Sequence, residues 1–166
     1  MLFSRFAAAG LLCASTFAAA IETGQAAPVV AGKRLDQAGA SVDDNAIRGQ
    51  VAYVDFWASW CVPCRQSMPA LDALFRKYGS SGFTVVGVNK DVNEGDAKRF
   101  MQRVPVGFPL VADEGDGLAR AFGVKAMPSG YLIDRKGVVR HVHRGFTAET
   151  ATALETQIQS LLGETR

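Results

Sequence analysis

An apolar run, a pair of cysteines and a helical pattern follow one another directly, and this succession restricts the fold more than any other feature. Residues 51–56 are rich in β-branched and aromatic side chains, which is typical of a buried strand. Cys61 and Cys64 follow, with only Val62 and Pro63 between them. Pro63 suits the first turn of a helix, and apolar side chains then recur at helical spacing. The chain is therefore expected to leave a central strand, pass through the cysteine pair and enter a helix.

Strand and helix patterns alternate along the rest of the chain. Further strands are expected at residues 83–88, 108–111, 131–134 and 138–143, the last of them at an edge of the sheet. Further helices are expected after Asn93 as the N-cap, at residues 116–122 and from near Thr147. Residues 28–50, with scattered glycines, indicate a loose hairpin or an irregular lead-in. The alternation predicts an α/β class, a mixed central sheet flanked by helices.

The first 26 residues differ from the rest of the 166-residue chain and have the layout of a secretory signal peptide. Arg5 supplies a positive flank. Residues 6–20 are almost entirely alanine, leucine and phenylalanine with a few small residues. Gly24 and Ala26 then offer small side chains at the outer and inner cleavage positions. This pattern predicts a signal peptide over residues 1–26.

Two alternatives to cleavage after residue 26 stay open. One is cleavage after Ala20. The other is an uncleaved membrane anchor, although the apolar stretch is slightly shorter than the roughly 20 residues that span a bilayer. A lipoprotein signal at Cys13 is disfavoured because Leu12 stands where a small residue is needed. We therefore expect one folded domain over residues 27–166, exported and either released or tethered to the membrane by its N-terminus.

The composition of the expected mature chain points to a redox use of its cysteines. Once Cys13 is removed with the signal, Cys61 and Cys64 are the cysteines that remain, and export places them in an oxidising compartment. A disulfide that closes so short a loop constrains the unfolded chain little, so we expect it to serve electron exchange. The net charge of +2 is small and no run of Lys and Arg occurs, so a nucleic-acid partner is not expected.

The order of strand, cysteines and helix assigns a role to each sulfur. The thiolate is the attacking species, and a cysteine at a helix N-terminus faces unpaired N–H groups that favour the anion. Cys61 has this position and is expected to be the more exposed of the two, so it is the candidate nucleophile and Cys64 is the resolving thiol. Asp55 is the candidate acceptor for the Cys64 proton, because a carboxyl group within an apolar strand is expected to have a raised pKa.

Three other uses of the cysteine pair compete with redox exchange. A structural zinc site normally needs four ligands, and His141 and His143 lie far along the chain. A copper carrier would use the two sulfurs with Met127 or a histidine, as a binding module and not an enzyme. An inert structural disulfide is the third. No bound metal is expected, and solvent exposure is the simplest expectation for the two histidines, which share one face of a strand.

The segment VDFWASWCVPCR, residues 54–65, closely resembles the active-site segment of thioredoxins. The resemblance extends over essentially the whole chain from about Pro28. The exported start and the strand–helix insert between residues 88 and 122 are most similar to the TlpA/ResA branch of exported thioredoxin-like proteins. This resemblance implies a thioredoxin fold with an N-terminal hairpin and a central strand–helix insert, in which Pro69 matches the proline that kinks the active-site helix.

The same resemblance implies a substrate-binding surface. Trp57 and Trp60 match the two tryptophans that pack around the active site of the family. Met127 and Pro128 match the dipeptide whose proline is cis and lies against the disulfide, so that the backbone at residue 127 pairs with the substrate chain. Gly145 matches the glycine that lines the substrate groove on the following loop.

Departures from the family pattern concern mainly the proton acceptor. Many members of the branch have Asn where this chain has Asp55, and place a Glu after the second strand, near Val92 here, with Glu94 as a poor substitute. The lysine that partners the buried acid in thioredoxins aligns with Gly87. A raised pKa of Asp55 would therefore rest on desolvation alone. Ser129 also replaces the threonine that is common after the cis proline.

The resemblance implies a thiol–disulfide oxidoreductase in the periplasm or another exported location. We expect a monomer that reduces disulfides of exported proteins, such as apocytochrome c in cytochrome c maturation, and is re-reduced by a thiol-reducing donor in the membrane. It is expected to need no cofactor besides the redox-active Cys61–Cys64 disulfide. An oxidant or isomerase of the same fold is the alternative, but Val62 and Pro63 lack the histidine common in strong oxidants. Peroxidase activity is not expected, because Ala58 stands where peroxiredoxins have a threonine and a second cysteine follows.

Overall fold

The computed structural model describes residues 20–164, so most of the predicted signal peptide lies outside the described residues. The strands in this part are β1 (Gly32–Lys33), β2 (Ser41–Val42), β3 (Val51–Trp57), β4 (Phe83–Asn89), β5 (Leu110–Ala112), β6 (Ser129–Ile133) and β7 (Val139–Arg144). The α-helices are α1 (Cys64–Tyr78), α2 (Glu94–Arg103), α3 (Gly117–Phe122) and α4 (Ala148–Gly163). No helix among these residues is long and apolar enough to span a bilayer.

Five of the strands form one mixed sheet in the order β5-β4-β3-β6-β7. β3, β4 and β5 run parallel, whereas β6 and β7 each run antiparallel to their neighbours. β1 and β2 form a separate antiparallel hairpin before the sheet. β3 lies in the middle with all seven of its residues buried, which explains why its sequence is almost continuously apolar.

Local sequence signals set the helix ends. The Asn93 side chain accepts a hydrogen bond from the Gly95 N–H at 2.8 Å and caps α2, as predicted. The Thr147 hydroxyl accepts from the Thr150 N–H and caps α4. Gly123 ends α3 with φ of +66°, a left-handed conformation that suits glycine. α1 begins at Cys64, so the second cysteine is the first residue of the helix.

The two faces of the sheet have separate cores. Tyr53 and Trp57 of β3 face a cluster that includes both Cys61 and Cys64 and residues of α1 and α4. The alternate residues of β3 face the other cluster, which contains Phe122 of α3 and Tyr131 of β6. Asp55 shares the parity of Tyr53 and Trp57, so its side chain lies in the layer between the sheet and α1.

The chain before β1 extends the sheet at β7. The Gly24 N–H donates to the Val139 carbonyl at 2.7 Å, and the Val139 N–H donates to the Gln25 carbonyl at 2.9 Å. The Ala27 N–H bonds the Gly137 carbonyl at 2.8 Å, and Ile21 packs against the core that contains Phe122. We call residues 21–27 the N-terminal strap. Cleavage after residue 26 would divide the strap, whereas cleavage after Ala20 would leave it whole.

The fold confirms the predicted α/β class with its mixed sheet, its N-terminal hairpin and the insert, which consists of α2, β5 and α3. Element ends differ from prediction by one to two residues. β5 begins at Leu110 and not at Phe108, since Pro109 has no N–H for a ladder bond and only its carbonyl pairs, with the Gly87 N–H. β7 is an edge-type strand as expected, although the N-terminal strap covers part of it.

Candidate active site

A disulfide joins Cys61 and Cys64, whose Cα atoms are 5.3 Å apart. The pair lies between the end of β3 and the start of α1. Cys61 is 4% exposed and Cys64 is fully buried, so the predicted order of exposure holds, but the oxidised nucleophile is less open than expected. The residues on either side of Cys61 are the exposed ones: Trp60 is 64% and Val62 is 66% exposed. An apolar rim therefore surrounds a recessed sulfur.

The helix start acts on the sulfur of Cys61. The Cys64 N–H, at the first residue of α1, donates to Cys61 Sγ at 3.3 Å. The first turn of α1 contains no acidic residue that would offset the positive end of the helix dipole. In the reduced protein this N–H and the dipole favour the Cys61 thiolate over the thiol. The geometry thus supports Cys61 as the attacking sulfur.

Asp55 is a buried and isolated carboxyl group. It is 1% exposed, and its Oδ2 atom has no hydrogen-bond partner. Burial raises the pKa of Asp55 well above its usual value. Its register partner on β4 is Gly87, so no lysine faces it there. Burial is the sole cause of this shift, as expected, and Asp55 lies on the same face of β3 as Tyr53 and Trp57, whose cluster contains Cys64.

The loop that carries Cys61 is anchored by Asp91, which sequence reasoning missed. The Asp91 carboxylate accepts from the Ser59 N–H at 3.0 Å and from the Ser59 hydroxyl at 2.8 Å. It also accepts from the Asn89 side-chain amide at 2.8 Å. Trp57 and Asn89 are register partners at the ends of β3 and β4, which brings residues 59 and 91 together. An aspartate just after the second parallel strand is the sequence signal that would have identified Asp91.

The loop before β6 has the form that the thioredoxin resemblance implies. The Met127–Pro128 peptide bond is cis. The Gly145 N–H donates to the Pro128 carbonyl at 2.8 Å, so the predicted groove glycine is tied directly to this loop. Met127 packs against the core cluster that contains both cysteines. Within residues 20–164 the Met127 N–H and carbonyl take no part in any backbone pairing, so they are free for another chain.

A groove of about 430 Å³ begins beside Met127. Its floor comes from α3 and the loop that follows, and Arg120 and Lys125 are on its rim. Lys90 also lines it but is paired with Asp113 and Asp116. The groove is continuous with the free backbone edge at residue 127 and gives a second chain room to lie there.

Some residues singled out from the sequence are not part of the site. Glu94 is exposed at the start of α2 and pairs with Lys98 at 2.9 Å, an ion pair that lowers the pKa of Glu94. Val92 is fully exposed. Trp57 is buried and packs against Phe100, with ring centroids 5.0 Å apart, so it is part of the core beside the site. Only Trp60 of the two tryptophans faces solvent at the cysteines.

The expectation of two solvent-exposed histidines is wrong, because His141 and His143 are both half-buried. The Nδ1 atom of His143 lies 3.2 Å from the hydroxyl of Tyr53. The strand order buries His143, because β7 pairs with β6 and places His143 opposite Gly130, over which the Tyr53 hydroxyl lies. No group of three or more His, Cys, Asp and Glu side chains within the described residues is arranged to hold a metal ion.

Comparisons with known proteins agree with this geometry. The redoxin family matches residues 22–158. The thiol-disulfide oxidoreductase ResA of Halalkalibacterium halodurans is 31% identical over 114 residues, covering 69% of this chain and 65% of that protein, slightly less than two thirds of its length. The thioredoxin-like protein YneN of Bacillus subtilis is 34% identical over 128 residues, covering 75% of this chain and 73% of YneN.

Solved structures give the same result. A crystal structure described as a thiol:disulfide interchange protein DsbE from Chlorobium tepidum superimposes with a TM-score of 0.81 and 42% identity, covering 87% of this chain and 100% of that one. A solution structure described as a protein disulfide isomerase from Bacteroides thetaiotaomicron has a TM-score of 0.78 and 28% identity, covering 87% and 92% of the two chains. Both structures share the fold of this chain, and both are described as proteins that act on disulfides.

Proposed function

This chain belongs to the redoxin family, as a thioredoxin-fold thiol–disulfide oxidoreductase of the TlpA/ResA type, and on that premise we propose that it reduces disulfides of exported proteins. The observation that carries the proposal is the Cys61–Cys64 disulfide at the start of α1. The Cys64 N–H points at the Cys61 sulfur, and an apolar rim of Trp60 and Val62 surrounds it. This arrangement suits attack on a protein disulfide.

The reaction starts from the reduced protein and ends in the disulfide form seen here. The Cys61 thiolate attacks one sulfur of the substrate disulfide, a new S–S bond forms and the other substrate sulfur leaves as a thiolate. Cys64 then gives its proton to Asp55 and attacks the Cys61 sulfur. The second substrate sulfur leaves, so the substrate has gained two electrons and the protein has lost them.

The substrate is held mainly by backbone pairing. The free N–H and carbonyl of Met127 offer two hydrogen bonds to an extended chain, and Gly145 leaves space beside Pro128. Trp60 supplies apolar contact at the reacting sulfur. Such contacts fit many sequences, which agrees with a general substrate class of disulfide-containing proteins.

The proposal also covers the direction of electron transfer and the location of the protein. Val62 and Pro63 give the disulfide no histidine that would stabilise the reduced form, which supports a reductant over an oxidant. A thiol-reducing donor in the membrane then returns the disulfide to two thiols. The apolar start of the sequence supports an exported location, with the N-terminus as a tether where it is retained.

Cysteine variants test the function. Cys61→Ser should abolish reduction of insulin disulfides, and Cys64→Ser should accumulate a mixed disulfide with the substrate, identified by mass spectrometry. The double variant is the matched control and should trap nothing. A reduction potential below about −150 mV is expected for a reductant. A higher potential favours the oxidant, and a Cys64→Ser variant that traps nothing while the reduced wild type binds Cu(I) tightly favours a copper carrier and ends the proposal.

A further inference from the structure

Asp55 needs a route for its proton, and the residues opposite it supply none. Its register partners on β4 and β6 are Gly87 and Gly130, which have no side chains. Its Oδ2 atom is buried without a hydrogen-bond partner. In the proposed exchange, Asp55 accepts a proton from Cys64 in each cycle and must pass a proton on to solvent. A polar side chain from elsewhere in the same layer has to connect it to the surface.

The hydroxyl of Tyr53 lies next to Asp55. Tyr53 is two residues earlier on β3, so the two side chains share one face of the sheet. Its hydroxyl fills the space over Gly130, where a Cβ atom would overlap it. Gly130 is the register partner of Asp55, so the Tyr53 hydroxyl lies over the residue directly opposite the Asp55 side chain. Directly opposed Cβ positions are about 4.5–5.5 Å apart, a spacing that leaves room for one bridging water. Burial first, and then the Asp55 charge, raise the pKa of Tyr53, so the two groups interact.

His143 continues the path to the surface. Its Nδ1 atom lies 3.2 Å from the Tyr53 hydroxyl, within hydrogen-bond distance. Tyr53 is 1% exposed, whereas His143 is half-buried on the outermost strand of the sheet. Asp55 and His143 lie in one row across β3, β6 and β7, on either side of Gly130, and the Tyr53 hydroxyl reaches over Gly130 between them.

We propose that Tyr53 and His143 form a proton relay that connects Asp55 with solvent during thiol–disulfide exchange. This inference rests on the proposed function. As Cys64 gives its proton to Asp55, a proton passes from Asp55 through one water to the Tyr53 oxygen and the Tyr53 proton passes to His143 Nδ1, so that the relay is part of the Cys64 step. His143 then releases the proton on Nε2 to solvent. One proton leaves, no electrons move along the relay, and re-reduction runs the relay in reverse and restores the His143 tautomer.

The surroundings of His143 keep its ring in the form that the relay needs. The groups that face it are Tyr53, the stacked ring of His141 at 6.5 Å and Gln157 of α4, with Arg140 beside His141. Burial and His141 lower the pKa of His143, and Gln157 opposes them. The ring is therefore neutral near pH 7, with an unprotonated nitrogen to accept from Tyr53. Protonation of His143 in acid blocks the relay.

Resolution of a mixed disulfide tests the relay. Reduced protein is mixed with a saturating peptide disulfide, and stopped-flow tryptophan fluorescence follows the first-order Cys64 step from about pH 5 to about pH 9. Tyr53→Phe and His143→Gln should each slow this step at least roughly tenfold near neutral pH, since assisted proton transfer is lost. Tyr131→Phe is the matched control, because it also loses a tyrosine hydroxyl, which donates to the Phe122 carbonyl on the other face of the sheet, and it should keep the wild-type rate.

A purely structural role of the Tyr53–His143 hydrogen bond predicts something different. It would lower stability but leave the pH profile of the Cys64 step unchanged. Adding Tyr53→Phe to Asp55→Asn should cause no further slowing, because residues of one relay act as a unit. A wild-type rate in Tyr53→Phe, or further slowing in the double variant, overturns the relay.

Failure of the relay can be told apart from failure of the proposed function. Alkylation of Cys61 by iodoacetamide reports its thiolate and should be the same in wild type, Tyr53→Phe and His143→Gln. If the wild type reduces no peptide disulfide, the proposed function is wrong. If the wild type and both variants reduce it equally fast, the function stands and the relay alone is wrong.

Discussion

At the scale of single residues, Asp55 is the proposed proton acceptor and lies in an environment that disfavours its ionised form. It lies in a strand that is buried on both faces, and no cation faces it across β4 because Gly87 occupies that position. Its ionised form is therefore stabilised by neither a charge nor a hydrogen bond to Oδ2. The carboxyl group is a proton acceptor whose ionisation costs the folded protein stability.

Replacing Asp55 by Asn should make the oxidised protein more stable at alkaline pH. Burial raises the pKa of Asp55 in the folded state, so the folded protein binds this proton more tightly than the unfolded chain does. The stability gained from this tighter proton binding is fully present below the unfolded-state pKa of about 4. It is lost as the pH rises through the folded-state pKa. Each unit of pKa difference is worth about 1.4 kcal/mol.

Urea unfolding of wild type and Asp55→Asn at about pH 4 and about pH 8 measures this effect. The variant's advantage in free energy of unfolding should be larger at the higher pH. Asp96→Asn, on the exposed side of α2, is the control and should show little change between the two. An advantage of Asp55→Asn that is the same at both pH values contradicts a raised pKa.

Asp91 positions the cysteine loop, and its removal should affect both stability and exchange. Asp91→Ala leaves the Ser59 N–H and hydroxyl without their acceptor, which should cost about 1–3 kcal/mol. The loss of the anchor should also slow the attack of Cys61 on insulin disulfides. Thermal unfolding and insulin reduction measure the two effects. Asp116→Asn is an exposed control, and an Asp91→Ala variant as stable and as fast as the wild type would rule out the anchor.

At the scale of elements, the N-terminal strap behaves as an additional edge of the sheet. Three backbone hydrogen bonds join it to β7 and to the turn before β7. Ile21 adds apolar contact with the core on that face. The strap thus stabilises the strand that carries His143, although its own sequence lacks the apolar–polar alternation of a strand.

Shortening the strap should destabilise the domain. A mature form that begins at residue 27 lacks most of the strap, whereas one that begins at residue 21 keeps it. We expect the shorter form to unfold at least about 1–3 kcal/mol more easily, because it loses backbone pairing and the Ile21 contact. Urea unfolding of the two forms side by side is the measurement. Equal midpoints would show that the strap contributes nothing.

The elements also show which features of the structure could be predicted from the sequence. Residues 51–56 are continuously apolar and Asn93 precedes a helical pattern, so the central strand and the cap of α2 follow from local chemistry. The cysteine pair at a helix start and the buried acid were predictable for the same reason. Asp91 and His143 were not, because each meets its partner only through the pairing of β3 with β4 or of β6 with β7. No local sequence pattern predicts the order of the strands in the sheet.

At the scale of the whole molecule, both margins of the five-stranded sheet are partly covered. Residues 24–27 pair beside β7, and on the opposite side Arg34 bridges Val111 while the Leu35 N–H bonds the Leu110 carbonyl at 2.8 Å. An unpaired margin would invite copies of the chain to add side by side into fibrils. Here the covered part of each margin is closed to such growth, and the free backbone beside Pro128 can receive a substrate chain for one turnover and then release it.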